Sequence, residues 1–126
     1  MNSTSSLVIV SFLALLSACD RTVTFQMPVN ENLDLSIHRY DSTESFVETC
    51  EIAAGSSEMA RVAEWLDRNR AGWEPSPVTY APSVFIRGTD FSLNFLDEWA
   101  ILNYDEGQFV RAIDPVVYVG LECASE

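Results

Sequence analysis

Hydrophobic and polar residues alternate over several short stretches of the chain, and this period of two predicts β-strands. The predicted strands are residues 21–27, 33–38, 45–52, 84–87, 91–96, 99–104, 108–113 and 116–123, and the alternation is clearest in 21–27, 33–38 and 91–96. Turn-forming residues separate the later stretches, among them Asp97-Glu98 and Asp105-Glu106-Gly107. Successive strands joined by tight turns are expected to pair as an antiparallel meander.

One stretch has the period of a helix instead. Its hydrophobic positions recur at the spacing of one helix face: Met59, Val62, Ala63 and Leu66. The segment Gly55-Ser56-Ser57-Glu58 predicts the helix start, because a serine caps free N–H groups and Glu58 lies against the positive end of the dipole. Gly72 is predicted to end it. The expected fold is therefore α+β: an antiparallel sheet with one main helix packed on one face, in a single domain.

Residues 73–82 contain three prolines, which forbid a helix and favour an extended connection. Trp73 and Tyr80 flank this segment. One interpretation is a recognition loop in which rigid aromatic residues anchor a partner. The other, which we favour, is a crossover strapped across the sheet with both aromatic side chains packed inward.

The N-terminus begins with an apolar run, residues 7–16, of about half the twenty residues that a membrane-spanning helix needs. It has the length of the hydrophobic region of a signal peptide, and small residues follow it. The tetrapeptide Leu16-Ser17-Ala18-Cys19 resembles the lipobox of bacterial lipoproteins. The resemblance implies that residues 1–18 are cleaved and that Cys19 carries a diacylglyceryl group. The mature chain would then be a single acidic domain, residues 19–126.

This resemblance implies a location in the cell envelope, with the domain facing the periplasm and the membrane bound through the lipid anchor. Asp20 directly after the cysteine looks like the inner-membrane retention signal of enterobacterial lipoproteins. Two alternatives stay open. One is a plain secretory signal cleaved nearby, and the other is a buried N-terminal strand or helix with an incidental cysteine.

The charge of the chain limits the classes of molecule that it is expected to bind. Nineteen acidic residues and seven arginines, with no lysine, give a formal charge of −12, and all of them follow residue 18. Such a field repels phosphates and attracts basic proteins, so we expect no nucleic-acid binding. With Cys19 acylated, Cys50 and Cys123 remain as an even pair in an oxidising compartment, and we expect them to form a disulfide.

Candidate catalytic chemistry is sparse. The one histidine, His38, falls on the solvent side of its predicted strand, and no Gly-x-Ser-x-Gly elbow or zinc-ligand spacing occurs. The paired carboxylates Asp97-Glu98 and Asp105-Glu106 suit glycoside hydrolysis or calcium binding by residue type. Both pairs lie in predicted turns, however, where acidic residues are expected for turn formation alone. We therefore expect no catalytic residue, no cofactor and no metal.

Protein binding is the function that these observations favour. The candidate binding residues are Trp73, Glu74, Tyr80, Asp97, Glu98, Asp105 and Glu106. We expect a non-catalytic lipoprotein that docks a basic protein, as an inhibitor of a cell-wall hydrolase or an immunity protein against a toxin. The alternative is a structural accessory subunit of an envelope assembly, and an enzyme acting on peptidoglycan ranks third.

The lipid anchor is directly testable. Cys19→Ser removes the sulfur that would be acylated, so this variant is expected to lose incorporation of a labelled fatty acid and to leave the membrane fraction. Fractionation and metabolic labelling of cells expressing each form measure both effects. A Cys19→Ser protein that stays membrane-bound would show that the anchor assignment is wrong.

Overall fold

The computed structural model describes residues 21–40, 43–114 and 121–123. The predicted signal peptide, the proposed lipidation site Cys19 and Asp20 lie outside the described residues. Most of the predicted last strand, residues 116–123, also lies outside them. Its described part, residues 121–123, has no strand structure.

One antiparallel sheet and one helix make up the described structure, which confirms the predicted α+β class. The elements in chain order are β1 (Leu33–Tyr40), β2 (Ser45–Ile52), α1 (Ser57–Arg68), β3 (Glu74–Pro75), β4 (Val84–Arg87), β5 (Ser92–Phe95), β6 (Trp99–Tyr104) and β7 (Gly107–Ala112). The seven strands lie in the order β2-β1-β4-β5-β6-β7-β3. Strands β4 to β7 form the predicted meander, and α1 connects the two outer strands of the sheet.

Helix α1 forms where the hydrophobic spacing predicts it. The hydroxyl of Ser56 caps its start by accepting a hydrogen bond from the Met59 N–H at 3.2 Å. A backbone N–H in this first turn lowers the pKa of the Glu58 carboxyl. Gly72 does not end the helix as predicted, because the cap is Asn69, whose N–H bonds the Leu66 carbonyl. Gly72 instead turns the chain toward β3 in a left-handed conformation, with φ of 84°.

The helix packs on one face of the sheet, here called the front face, and the main hydrophobic core lies between them. Its buried helix residues are Met59, Val62, Trp65 and Leu66. From the sheet, alternate residues point into this core, as Leu33, Leu35 and Ile37 of β1 do. Trp65 stands edge-on to Phe95 of β5, with ring centroids 4.9 Å apart. Burial of these apolar side chains is the main stabilising contribution to the domain.

Residues 21–27, predicted as a strand, are not part of the sheet. Arg21 forms an isolated bridge with Trp73, and the segment then crosses the front-face core with Val23 and Met27 buried. Its carbonyl groups find other partners, since the guanidinium of Arg70 donates hydrogen bonds to the carbonyls of Val23 and Phe25. The alternation is therefore that of an extended chain packed on a core, and the prediction of a paired strand was wrong.

The opposite face of the sheet, the back face, is covered at β5 and β6 by residues 76–83, here called the strap. Asn94 and Ile101 are cross-strand neighbours on this face and are 4% and 2% exposed. The Asn94 side chain accepts a hydrogen bond from the Ser83 N–H and donates one to the Ala81 carbonyl. Gln108 of β7 donates from its side-chain amide to the carbonyls of Ser76 and Val78. The segment is thus a crossover, as in the favoured interpretation, but of its two aromatic side chains Trp73 is buried and Tyr80 is only half-buried.

A disulfide joins Cys50 of β2 to Cys123, as the sequence predicts, with Cα atoms 5.7 Å apart. The two cysteines are 73 positions apart in the chain. Leu121, two residues earlier, is buried in the main core. The bond therefore holds the C-terminal segment against β2 and the beginning of α1.

Removal of this disulfide is expected to destabilise the domain strongly. A covalent link across a loop of this length lowers the entropy of the unfolded chain by an amount worth about 4 kcal/mol, as an upper value. Urea denaturation of the oxidised protein, the reduced protein and the double variant Cys50→Ala/Cys123→Ala measures the loss. The reduced protein and the double variant should unfold at similar, lower urea concentrations. Unfolding of all three forms at one midpoint would contradict a stabilising role.

Candidate functional site

A depression of about 500 Å³ opens at one end of the back face, where the strap meets the turn between β5 and β6. We call it the Tyr40–Trp99 cleft. Its lining residues come from the end of β1, the end of the strap and the β5–β6 turn: Tyr40, Ala81, Pro82, Ser83, Leu96, Asp97, Glu98 and Trp99. Distant parts of the chain therefore meet at one surface, as in most binding sites.

Two aromatic side chains in this cleft face solvent. Tyr40 is 68% exposed and Trp99 is 44% exposed, although both belong to strands of the sheet. The other two tryptophans, Trp65 and Trp73, are buried in the main core. Scattered exposed apolar residues are ordinary, but two large aromatic residues lining one depression are typical of interaction sites.

The β5–β6 turn brings two carboxylates to the same cleft. Asp97 and Glu98 occupy its centre, and the Leu96 N–H closes the turn on the Trp99 carbonyl at 2.7 Å. A second bond, from the Ile113 N–H to the Glu98 carbonyl, ties the turn to the chain after β7. No ion pair to either carboxylate is found among the described residues, and none of the residues that line the cleft is basic. The cleft is thus partly aromatic and negatively charged, and its turn is held by backbone hydrogen bonds.

The strap holds one wall of the cleft in position. Asn94, below it on β5, fixes the backbone on both sides of Pro82 through its bonds to Ala81 and Ser83. The Ser83 carbonyl also accepts a hydrogen bond from the His38 N–H of β1 at 2.8 Å. These contacts connect β1, the strap and β5, so this wall of the cleft is hydrogen-bonded to the sheet at two strands.

The other predicted binding residues lie elsewhere. Trp73 is completely buried, and its indole N–H donates to the Asn69 carbonyl. Glu74 is exposed on β3 at the far edge of the sheet. Tyr80 is half-buried in the strap, with its hydroxyl 2.8 Å from that of Ser76. Of the seven predicted binding residues, only Asp97 and Glu98 line the cleft.

Asp105 and Glu106 form the β6–β7 turn at the opposite end of the sheet. Glu106 accepts a hydrogen bond from the Tyr104 hydroxyl at 2.8 Å. Burial raises the pKa of the Tyr104 phenol, and the Glu106 carboxylate raises it further. Asp105 lines a second open depression, which also contains the basic side chain of Arg87. This end is therefore mixed in charge, unlike the Tyr40–Trp99 cleft.

The middle of the back face forms a third, shallow groove between β2, β1 and β4. It is lined by His38, Ser36 and Thr49 together with the charged residues Asp34, Glu51 and Arg87. The Arg87 guanidinium lies over the Phe85 ring, 5.5 Å from its centroid. Because this arginine already covers the aromatic ring, the groove offers no bare aromatic platform to a ligand.

The described residues contain no cluster of three or more His, Cys, Asp or Glu side chains arranged to hold a metal ion. Within the same residues, no helix is both long and apolar enough to cross a membrane. The chain matches no protein-family model, no curated protein and no solved structure. Its function must therefore be argued from its own surfaces.

Sequence reasoning missed Tyr40, Trp99 and Asn94 as contributors to this site. Tyr40 is the last residue of β1, and Trp99 is the first residue of β6. Strands β4 and β5 lie between these two strands, so the proximity of the two residues depends on the register of three strand pairs: β1–β4, β4–β5 and β5–β6. Asn94 lies between the apolar residues of β5. A polar residue in a buried strand needs a hydrogen-bond partner, and this was the one signal in the sequence that could have indicated its role.

Loss of the Asn94 side chain is expected to loosen the strap. Asn94→Ala leaves the Ser83 N–H and the Ala81 carbonyl without partners, which costs about 1–3 kcal/mol of stability. Asn103→Ala is the matched control, because this half-buried β6 asparagine has no side-chain hydrogen bond to a described residue, and its loss should cost less than about 0.5 kcal/mol. Urea denaturation and hydrogen exchange at Ser83 measure both. Equal stability of the two variants would contradict the clamp.

Proposed function

We propose that this protein is a non-catalytic, membrane-tethered binding domain whose partner is a basic protein of the cell envelope. The partner class that fits best is a cationic cell-wall hydrolase or toxin, which the domain would inhibit. The observation that carries the proposal is the Tyr40–Trp99 cleft, in which exposed aromatic side chains share one surface with two carboxylates that form no ion pair with any described residue. Aromatic anchors of this kind supply most of the energy in protein interfaces.

The distribution of charge supports a basic partner. Four arginines form ion pairs with acidic side chains of the same chain: Arg39 with Glu48, Arg61 with Glu58, Arg68 with Glu64 and Arg70 with Asp67. Arg111 is bonded to the carbonyls of Ala71 and Ala112. Most arginines thus interact with other groups of the same chain. Approaching molecules meet a domain with a net charge of −12. Such a field steers cationic proteins toward the surface and speeds association.

The positions of the carboxylate pairs favour binding over glycoside hydrolysis. Hydrolysis needs two carboxyl groups facing one another across a substrate, at about 5–10 Å. Asp97 and Glu98 are neighbours in one turn, whereas Asp105 and Glu106 lie at the other end of the sheet. The four carboxylates therefore do not face one another across a single cleft.

The membrane tether completes the proposal, and it depends on the lipobox-like residues Leu16 to Cys19. A domain held at a membrane surface meets envelope enzymes at high local concentration. The Cys50–Cys123 disulfide suits an oxidising compartment outside the cytoplasm.

A second candidate function is an accessory subunit of an envelope assembly. It is favoured by Phe46 and Val47, which are about half exposed on the outer strand β2. No strand among the described residues pairs with the outer edge of β2. Sheet edges of this kind accept a strand from another protein.

Binding measurements with purified basic proteins test the proposal. The full chain in detergent micelles is titrated with individual cationic peptidoglycan hydrolases and secreted toxins of its host, and association rates are recorded from low to high salt. We expect at least one to bind, with an association rate that falls about tenfold or more as salt screens the charges, and to lose activity when bound. Salt-insensitive co-purification with a membrane complex would favour the accessory role. Cleavage of peptidoglycan by the purified protein would overturn the non-catalytic assignment.

A further inference from the structure

We infer that the Tyr40–Trp99 cleft receives an arginine side chain presented by a loop of the partner protein. The inference rests on the proposed function and specifies how the basic partner would be recognised. It combines three features of one surface: two exposed aromatic rings, two carboxylates and the absence of a basic residue from its lining.

The aromatic rings favour a cation that also has a flat, weakly hydrated surface. A guanidinium stacks on tryptophan and tyrosine rings, and its attraction to the ring face adds to the area that it buries. Trp99 and Tyr40 present such rings from β6 and β1. Because both residues belong to paired strands, little backbone freedom is lost when a ligand packs on them.

The carboxylates supply the acceptors that a guanidinium requires. Asp97 and Glu98 present four carboxylate oxygens in one turn, and the guanidinium has five N–H donors in a planar fork. The backbone of the turn is held by the Leu96–Trp99 and Ile113–Glu98 hydrogen bonds, so the two side chains that carry these acceptors extend from a fixed turn. Lysine would supply charge without the planar fork, and we therefore expect weaker binding of lysine than of arginine.

The size of the cleft suits one long side chain with its flanking backbone. Its volume of about 500 Å³ lies in the lower half of the range typical of ligand pockets, about 300–1,000 Å³. Pro82 and Leu96 add apolar surface beside the aromatic rings. The methylene groups of an arginine side chain can pack on that surface while the guanidinium reaches the turn.

The negative charge of the domain distinguishes between the molecules that could occupy the cleft. A second copy of this chain brings a net charge of −12 to the contact, and four of its seven arginines are held in internal ion pairs. Anionic lipid headgroups and nucleic acids are repelled by the same field. The occupant that complements the cleft is therefore an arginine of a different, basic protein.

Short peptides test the cleft independently of any partner. The full chain in detergent micelles, labelled with ¹⁵N, is titrated with acetyl-Gly-Arg-Gly-amide, its lysine analogue and its citrulline analogue, which keeps the shape but has no charge. We expect the arginine peptide to shift the indole N–H signal of Trp99 while the buried Trp65 and Trp73 signals stay in place. The lysine peptide should bind more weakly, and the citrulline peptide should cause no saturable shift.

Two matched double variants separate local contact from overall charge. Asp97→Asn/Glu98→Gln and Asp105→Asn/Glu106→Gln remove the same two charges from similar turns at opposite ends of the sheet. The first variant should weaken binding of the arginine peptide about fivefold or more, and the second should change it less than twofold. Equal effects of the two variants, or equal shifts with arginine and citrulline peptides, would overturn the inference.

The same variants distinguish failure of this inference from failure of the proposed function. A basic hydrolase or toxin that binds both variants equally well would overturn the cleft as its docking site and leave the proposed function standing. Peptide binding at Trp99 without binding of any basic protein would support the cleft and contradict the proposed function. A partner whose affinity falls only with Asp97→Asn/Glu98→Gln would support both.

Discussion

The fold depends on covering both faces of the sheet at its centre. Strands β5 and β6 send Phe95 and Leu102 into the front-face core and Asn94 and Ile101 to the back, and all four are buried. Helix α1 covers the front, but the chain offers no second helix among its described residues for the back. The strap performs that role, and its backbone polar groups need partners because a loop over apolar strands is shielded from water. Asn94 and Gln108 provide those partners from the sheet itself. The cleft is a consequence of this solution, since it forms where the strap ends beside the β5–β6 turn.

The division of charge follows the same geometry. Arginine side chains are long enough to reach backbone carbonyls and neighbouring carboxylates, and in this chain they do so along α1 and the front-face segment, as Arg70 does for Val23, Phe25 and Asp67. Turns at the ends of the sheet carry acidic residues instead, because aspartate and glutamate are compatible with turn geometry. The adjacent pairs Asp97-Glu98 and Asp105-Glu106 therefore lie where the chain reverses. At the Tyr40–Trp99 cleft, two such carboxylates lie beside exposed aromatic rings.

The sequence predicts local structure well and pairing poorly. Strand β2 and the strands β4 and β6 have the predicted limits because alternation and turn residues both mark them. Residues 21–27 show the same alternation but do not pair in the sheet. A period of two indicates an extended backbone with one buried side, and it does not indicate which segment the backbone bonds to. Strand β3 escaped prediction because two residues, one of them Pro75, have no detectable period and lie at a sheet edge where proline is tolerated.

The site was predictable only in part for a related reason. Asp97 and Glu98 stand out as adjacent acidic residues in a turn, and composition alone is enough to notice them. Tyr40 and Trp99 read as ordinary strand residues, and nothing in their own neighbourhoods indicates exposure. Their meeting depends on β4 and β5 lying between them, which is set by long-range pairing. Trp73 shows the opposite case: two interpretations of the proline-rich segment were open, and the structure agrees with the favoured one for this residue, because Trp73 is buried in the front-face core and is not a surface anchor.

The net negative charge of the domain opposes its compactness, because like charges repel one another. The position of the disulfide bears on this repulsion. Glu51 of β2, Glu58 of α1 and Glu122 line one depression beside the bond, so the C-terminal segment is held next to like charges that repel it. A backbone N–H in the first turn of α1 lowers the pKa of Glu58 and so keeps this carboxylate charged, while the ion pair with Arg61 offsets part of its charge. Burial of Leu121 contributes apolar contact on the same segment. A covalent link needs no favourable electrostatics, and Cys50–Cys123 fastens the chain beside these carboxylates. A strongly acidic surface is therefore compatible with a stable small domain because the Cys50–Cys123 disulfide holds the C-terminal segment beside these carboxylates.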